Sequence, residues 1–306
     1  MNIKEYKLKF ITPALLVGAD LGKSEIRSST IRGELRWWFR VLGGTIEEER
    51  HVFGGISNEM YNQNISSSIV VRVSNIKKYD RSFPPKTLGG RNQRVSGFDY
   101  LAHFARESGK EKNTPYGPRI NNAAFYYPGS SFQLSICIRR EISQNENVKL
   151  EKAIDAFIKF GTIGLRSTRG FGAFVEDDTS KYLKKDEFLE SCKENYPDLD
   201  FYLPNVGKEI FMDRQSEDKG AYMCLDAMGT WLSKFREDTK LKGNEKTSLG
   251  YSFKEEGTDT QFRESSALHL RPVRVQEGYL PLMFYTDKAC SQESIKDKFS
   301  KYANLL

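Results

Sequence analysis

The sequence predicts an α+β chain of two domains, the first in the order strand, helix, strand, strand, helix, strand. Three observations predict this. Tyr6–Ile11 and Phe132–Arg139 alternate apolar and polar residues, whereas 31–42 and Leu150–Phe160 carry apolar residues at helical spacing. The charge balance turns over after Glu176-Asp177-Asp178: residues 1–175 hold 27 Lys+Arg against 16 Asp+Glu, and residues 176–306 hold 20 against 25. A chain of 306 residues has room for two domains, each burying its own core.

The first strand, Tyr6–Ile11, is ended by Thr12-Pro13. A loop with Gly18 and Gly22 leads to Ser28-Ser29-Thr30, which supply helix N-caps, and the helix over 31–42 stops at Gly43-Gly44. Leu35, Trp38, Phe39 and Leu42 fall at i, i+3, i+4 and i+7 and form its buried face. Arg32, Arg36 and Arg40 recur every four residues on a different stripe, with Trp37 at its margin and Arg27 just before the helix. No acidic residue stands four positions from them, so the row is either the wet side of an amphipathic helix or a set of bidentate phosphate donors.

Glu47–Gly55 (EEERHVFGG) is a short helix closed by a glycine turn, its glutamates forming an acidic first turn rather than a metal cluster. Ser68–Val73 is a strand. Residues 77–118 form an irregular insertion with Pro84-Pro85 and Gly89-Gly90, in which Lys86, Arg91 and Arg94 lie near Phe83, Phe98 and Tyr100. Such a mixture suits base stacking beside phosphate contacts; the plainer alternative is a surface insertion with a small helix around Asp99–Arg106. Pro128-Gly129-Ser130 turns into the strand Phe132–Arg139, and the helix Leu150–Phe160 feeds a glycine-rich loop and the strand Ala173–Glu176. That order is the split βαβ of a ferredoxin-like domain with a disturbed middle, spanning 1–178.

In the acidic remainder, 179–306, helices are expected over Lys185–Asn195, Ala221–Arg236 and Ser291–Tyr302, with a polar loop over Lys240–Glu256. Ala267–Val275 and Gly278–Tyr285 form a hairpin-like pair in which Pro272 and Pro281 demand edge positions or bulges. The second domain is a looser α+β unit.

The loop GTIGLRSTRGFGAF, 161–174, is the most informative segment. Gly161, Gly164, Gly170 and Gly172 bracket Arg166, Ser167, Thr168 and Arg169. Glycine permits positive φ and close approach to a ligand, and such a loop can turn successive N–H groups toward an anion, with hydroxyls and guanidiniums beside them. The order helix, loop, strand does not fit the dinucleotide fingerprint, and no P-loop lysine is present. The expected ligand is a phosphate backbone, and the basic first domain is the expected nucleic-acid face.

Other chemistries are poorly represented. Cys137, Cys192, Cys224 and Cys290 are scattered without CxxC spacing, so no standard zinc module or disulfide framework is expected and a reducing cytoplasm fits. The chain begins with a charged alternating strand rather than a signal peptide, and no apolar run reaches membrane-spanning length. His51, His103 and His269 lie in no nucleophile motif, and Asp20 is a lone loop carboxylate. A histidine-dependent endoribonuclease, and a metal-assisted cut through Asp20, stand as alternatives to simple binding.

Five segments together resemble the RAMP superfamily of CRISPR-associated RNA-binding proteins: FITPALLVG (10–18), EIRSSTIRGELRWWFRVLGG (25–44) with HVFGG (51–55), YPGSSFQLSI (127–136), GLRSTRGFGAF (164–174) and SALHLRPVRV (266–275). The glycine-rich loop is similar to the hallmark of the superfamily. The tandem Trp in an arginine-rich first helix is similar to the first subunits of type III-B, or Cmr, effectors. The resemblance implies two tandem ferredoxin-like (RRM-like) folds and a non-catalytic subunit; no cofactor or metal is expected. It implies guide RNA, target RNA and other Cmr effector subunits as partners in antiviral defence, with contact near the guide 3′ end. The resemblance implies that Arg166, Ser167, Thr168 and Arg169 contact RNA from the loop and that Arg32, Arg36 and Arg40 line the adjoining groove. The residues themselves add Gly164 and Gly170 of the loop, Arg27 and Trp37 at the first helix, and Lys86, Arg91 and Arg94 of the insertion as candidate RNA contacts. The alternative within the superfamily is an endoribonuclease that processes guide precursors.

Overall fold

The computed structural model describes residues 2–20, 23–57, 60–79, 97–102, 125–212, 217–241, 249–250, 252–254, 261–263, 266–286, 297–299 and 301–306. It is an α+β structure with antiparallel sheets. The chain divides into two units, each drawn from separate segments: Met1–Arg81, Ile120–Leu165 and Gly172–Lys181 in the first, and Ser82–Arg119, Arg166–Phe171 and Tyr182–Leu306 in the second. The expected cut at 178 foresees neither earlier exchange. Six residues of the glycine-rich loop belong with the second unit.

The first unit holds β1 (Asn2–Phe10), β2 (Ala14–Leu15), α1 (Ser28–Val41), α2 (Ile46–Phe53) and β3 (Ile69–Lys77). β4 (Phe125–Tyr126), β5 (Ser131–Ile138), α4 (Gln144–Phe160) and β6 (Phe174–Glu176) complete it; α3 (Gly97–Ala102) lies in the second unit. The sheet order is β3-β5-β1-β6. β1 is central because Leu8 and Phe10 alternate inward, and it pairs with β5 from Asn2↔Ile138 to Lys9↔Ser131. β3 is an edge strand whose register with β5 breaks between Ser74 and Lys77, where Asn75 adopts φ 49°.

Phe10, Phe132, Phe157 and Phe174 form the centre of this core, with Phe157 and Phe174 5.0 Å apart. The helical face of α1 packs as its spacing requires: Leu35, Trp38, Phe39 and Leu42 are buried. Each such side chain contributes about 1.5–3 kcal/mol of transfer free energy. Ser28, Ser29 and Thr30 are not the cap, however. The helix starts one residue sooner than a serine cap allows, with Arg27 at the N-cap and no side-chain cap bond, so the three hydroxyl residues form the first turn. α4 likewise starts six residues before the apolar run, at a capping box between Ser143 and Glu146.

The second unit's sheet, in the order β10-β11-β7-β12, comprises β7 (Asp200–Pro204), β10 (Leu268–Val275), β11 (Gly278–Tyr285) and β12 (Ala303–Leu305). α5 (Lys185–Asn195), α6 (Glu217–Thr239), β8 (Ser252–Lys254) and β9 (Gln261–Arg263) complete the elements. The polar stretch 240–256 is thus not wholly loop, because β8 pairs with β9. Trp231 and Phe235 stack at 5.2 Å, and Phe235 and Phe299 at 4.8 Å. The two prolines fit their hairpin. Pro272 lies opposite Pro281 on edge strand β10, and β7 pairs with β11 only from Met283 to Tyr285, so neither ring displaces a ladder donor.

Candidate nucleic-acid interface

On α1 the arginine row is held by a neighbour that lies beyond helical spacing. Glu49 of α2, 4 % exposed, accepts from Arg36 Nε at 2.7 Å and from Arg40 Nη1 at 3.1 Å. Arg32 donates to the Phe53 carbonyl. Burial first, and the neighbouring Arg36 charge second, hold the Arg32 guanidinium below its ordinary value. Arg27 is exposed, and half-buried Trp37 meets Trp38 edge-on at 4.9 Å. On the same helix, burial pushes the Glu34 carboxyl up to about 7.

Arg32 and Arg36 line a groove of about 690 Å³ in the first unit, with Ser28, Ser29 and Gly33 of α1, Ser66 and Ser67 before β3, Ile69–Val71 of β3, and Arg139 and Arg140. The sheet register builds it. Ile138 ends β5 opposite Ile69, so the next two residues meet the chain entering β3: the Arg139 and Arg140 N–H groups donate to the Ser68 carbonyl at 2.8 and 3.3 Å. Arg140 Nη1 also reaches the Ser66 carbonyl at 3.4 Å. Both arginines are exposed. Four arginines therefore line the groove, and among the described residues the carboxylate that meets any of them is Glu49, on Arg36. Sequence reading passes over Arg139-Arg140. The signal available was a basic pair directly after the strongest alternating strand.

The glycine-rich loop uses its backbone differently from the expectation. The Leu165 N–H donates to Leu15 at 2.9 Å, Gly172 to Pro13 at 2.8 Å, Arg169 to Arg166 at 2.9 Å and Gly170 to Ser167 at 3.0 Å. These amides serve the fold, so they do not form a row of outward donors. A Cβ at Gly172 (φ 69°) would strike the Ile163 carbonyl. One at Gly164 (φ 100°) would strike the Leu15 carbonyl. The glycines are required by close passage of backbone on backbone.

Within the second unit the loop tip lies along the edge of β10, where the Leu270 N–H donates to the Thr168 carbonyl at 3.1 Å. Arg169 is 5 % exposed and donates to the Leu249 carbonyl, so its guanidinium is an internal tie and not an outward phosphate contact. Arg166, Ser167 and Thr168 remain half-buried, and Arg166 holds φ 65°. Lys86, Arg91, Arg94 and His103 lie outside the described residues.

His269, His51 and Asp20 each meet a neighbour. His269 stacks on Phe284 at 4.7 Å, and burial, then the Arg169 charge, lower its pKa to about 3. His51 Nδ1 lies 2.7 Å from Glu146. Asp20 sits 3.5 Å from Lys23. Among the described residues no group of three metal-ligating side chains occurs, and no helix is long and apolar enough to cross a membrane.

Comparison with known proteins follows the same residues. A family model described as the RAMP superfamily matches residues 7–175. The CRISPR system Cmr subunit Cmr1-2 of Pyrococcus furiosus is 27 % identical over 178 residues, covering 55 % of this chain and 91 % of that protein. Subunit Cmr1-1 of the same organism is 26 % identical over 215 residues, covering 63 % of this chain; the match spans 56 % of that protein's length. The crystal structure of apo Cmr1 from P. furiosus aligns over 100 % of this chain and 94 % of its own, with a TM-score of 0.51 at 15 % identity. A chain in the cryo-EM structure of the type III-B Cmr-beta complex bound to cognate target RNA aligns over 93 % and 94 %, with a TM-score of 0.50 at 15 % identity. At such identities the structural likeness speaks for the fold. With the family match running from β1 to β6, through α1, the groove and the glycine-rich loop, the chain belongs to the RAMP superfamily.

Proposed function

We propose that this chain is a non-catalytic, RNA-binding subunit of a cytoplasmic type III-B CRISPR (Cmr) ribonucleoprotein in antiviral defence. Its partners are guide RNA, target RNA and other Cmr subunits, and it holds the guide and its target near the guide 3′ end. The observation that carries the reading is the arginine row of α1, in which Glu49 holds Arg36 and Arg40, and Arg32 and Arg36 line one groove with Arg139 and Arg140. The names of the relatives support the assembly, and the family match over the basic half supports the place of contact.

Each unit supports a ferredoxin-like fold. In the first, β1, α1, β3, β5, α4 and β6 follow in sequence with the sheet order β3-β5-β1-β6. In the second, β7, β10, β11 and β12 take the equivalent order. The contacts would be made by Arg27, Arg32, Arg36, Trp37 and Arg40, by Arg166, Ser167 and Thr168 from the loop, and by Lys86, Arg91 and Arg94 beyond the described residues.

The test is a binding and cleavage assay on labelled single-stranded RNA, with and without divalent metal, using wild type and Arg36→Ala/Arg40→Ala. Binding without product, weakened in the variant, is expected. Defined cleavage products that persist in an independent preparation would overturn the non-catalytic reading in favour of guide processing.

A further inference from the structure

We infer that the groove between the start of α1, the residues entering β3 and Arg139-Arg140 is a second anchoring site for nucleic acid, one that seats the phosphodiester backbone of a single RNA strand. The inference rests on the reading of the chain as an RNA-binding subunit. It adds residues that neither the α1 row nor the glycine-rich loop contains.

Charge makes the first argument. Arg32 and Arg36 from α1 converge with Arg139 and Arg140 from the end of β5 on one concave space. Arg36 leans on Glu49, and among the described residues no carboxylate pairs with Arg139 or Arg140. Like charges gathered in a cleft with low-dielectric walls concentrate a positive potential, which an entering anion relieves.

Size and lining make the second argument. A volume of about 690 Å³ lies in the range of pockets that enclose a drug-sized molecule, so it admits nucleotide units rather than a lone phosphate ion. The lining supplies serine hydroxyls from two segments, which together with guanidiniums are donors to phosphate and sugar oxygens. It contains no aromatic ring for stacking and no amide or carboxylate side chain for reading base edges. Such a site grips a backbone regardless of sequence.

The third argument is rigidity. Arg139 and Arg140 are tied through their own N–H groups to Ser68, whose hydroxyl donates to the His51 carbonyl at 2.9 Å. Their backbone is fixed by the sheet while their side chains stay exposed. Guanidiniums presented from a fixed backbone lose less freedom when they engage a phosphate.

The experiment measures binding of a labelled mixed-sequence single-stranded RNA to the full chain across a salt series. Wild type is compared with Arg139→Gln/Arg140→Gln and with Lys193→Ala/Lys208→Ala, two exposed lysines of the second unit that remove the same charge elsewhere. The glutamine pair should weaken binding by about tenfold or more at low salt and flatten the salt slope by about 1.4, two phosphate contacts at about 0.7 each. Arg139→Lys/Arg140→Lys should recover most of the slope, and the lysine control should leave it unchanged.

If the glutamine pair keeps the wild-type slope while Arg36→Ala/Arg40→Ala loses it, the groove assignment falls and the RNA-binding reading stands. If wild type itself binds no RNA, both fall. If poly-glutamate binds wild type and is lost from the glutamine pair while RNA binding is unaffected, the groove is a protein-docking site and the inference is overturned.

Discussion

Arg36 lies against Glu49 through two nitrogens, Nε at 2.7 Å and Nη2 at 2.5 Å from the same carboxylate oxygen. Because Glu49 also meets Arg40, one buried carboxylate fixes the direction of half-buried Arg36 and exposed Arg40. Glu49→Gln should therefore do two things at once. It should cost about 1–2 kcal/mol in urea denaturation, discounted because both guanidiniums are partly solvated. It should also steepen the salt dependence of RNA binding, since the arginines lose their internal counter-charge. An unchanged denaturation midpoint would mean that the pair does not orient α1 on α2.

The two arginines of the glycine-rich loop should separate by measurement. Arg169→Ala removes an internal donor to the Leu249 carbonyl and should lower stability by about 1–3 kcal/mol. Arg166→Ala should act on binding, flattening the RNA salt slope by about 0.7. Equal effects of both substitutions on melting temperature would contradict this division.

Trp38→Ala and Leu35→Ala truncate side chains that are 1 % and 0 % exposed. Each should cost about 2–5 kcal/mol, read as a fall in the denaturation midpoint. Trp37→Ala, on the half-buried margin of the same helix, should cost less than either.

Glu34 should make stability depend on pH. Its carboxyl titrates at about 7 in the folded chain against an ordinary 4.5, so the folded state binds the proton more tightly. The associated stability is complete below the ordinary value, declines as pH rises through the window between the two, and is gone above it. Glu34→Gln should remove this dependence. Relative to wild type, the variant should gain melting temperature on the alkaline side of neutrality compared with mildly acidic solution.

What could be read from the chain beforehand was local. The apolar face of α1 follows from spacing alone, and α5 spans the residues its pattern marked, Lys185–Asn195. The partner of the arginine row escaped because Glu49 stands 13 positions from Arg36, on the next helix, whereas a helical pair is sought at four. Arg139 and Arg140 escaped for a related reason: they gain meaning only when the β3–β5 register sets them beside Ser66 and α1. For the glycines of 161–174 the spacing marks positions and not neighbours. At Gly164 and Gly172 positive φ admits the backbone of Leu15 and Ile163, a relation that needs the strands in place.

The register break in β3 bears on self-association. A nine-residue strand at a sheet rim offers a row of amide and carbonyl groups that a second extended chain can extend into a longer sheet. Here the pairing slips between Ser74 and Lys77, Asn75 turns out of extended geometry, and Lys77 and Lys78 follow, both exposed. A strand from another molecule that began to pair along Ile69 would meet the break at Asn75 after three repeats of the pleat, with Lys77 beyond it. An irregularity of this kind on an edge strand is one of the devices by which sheets discourage edge-to-edge pairing.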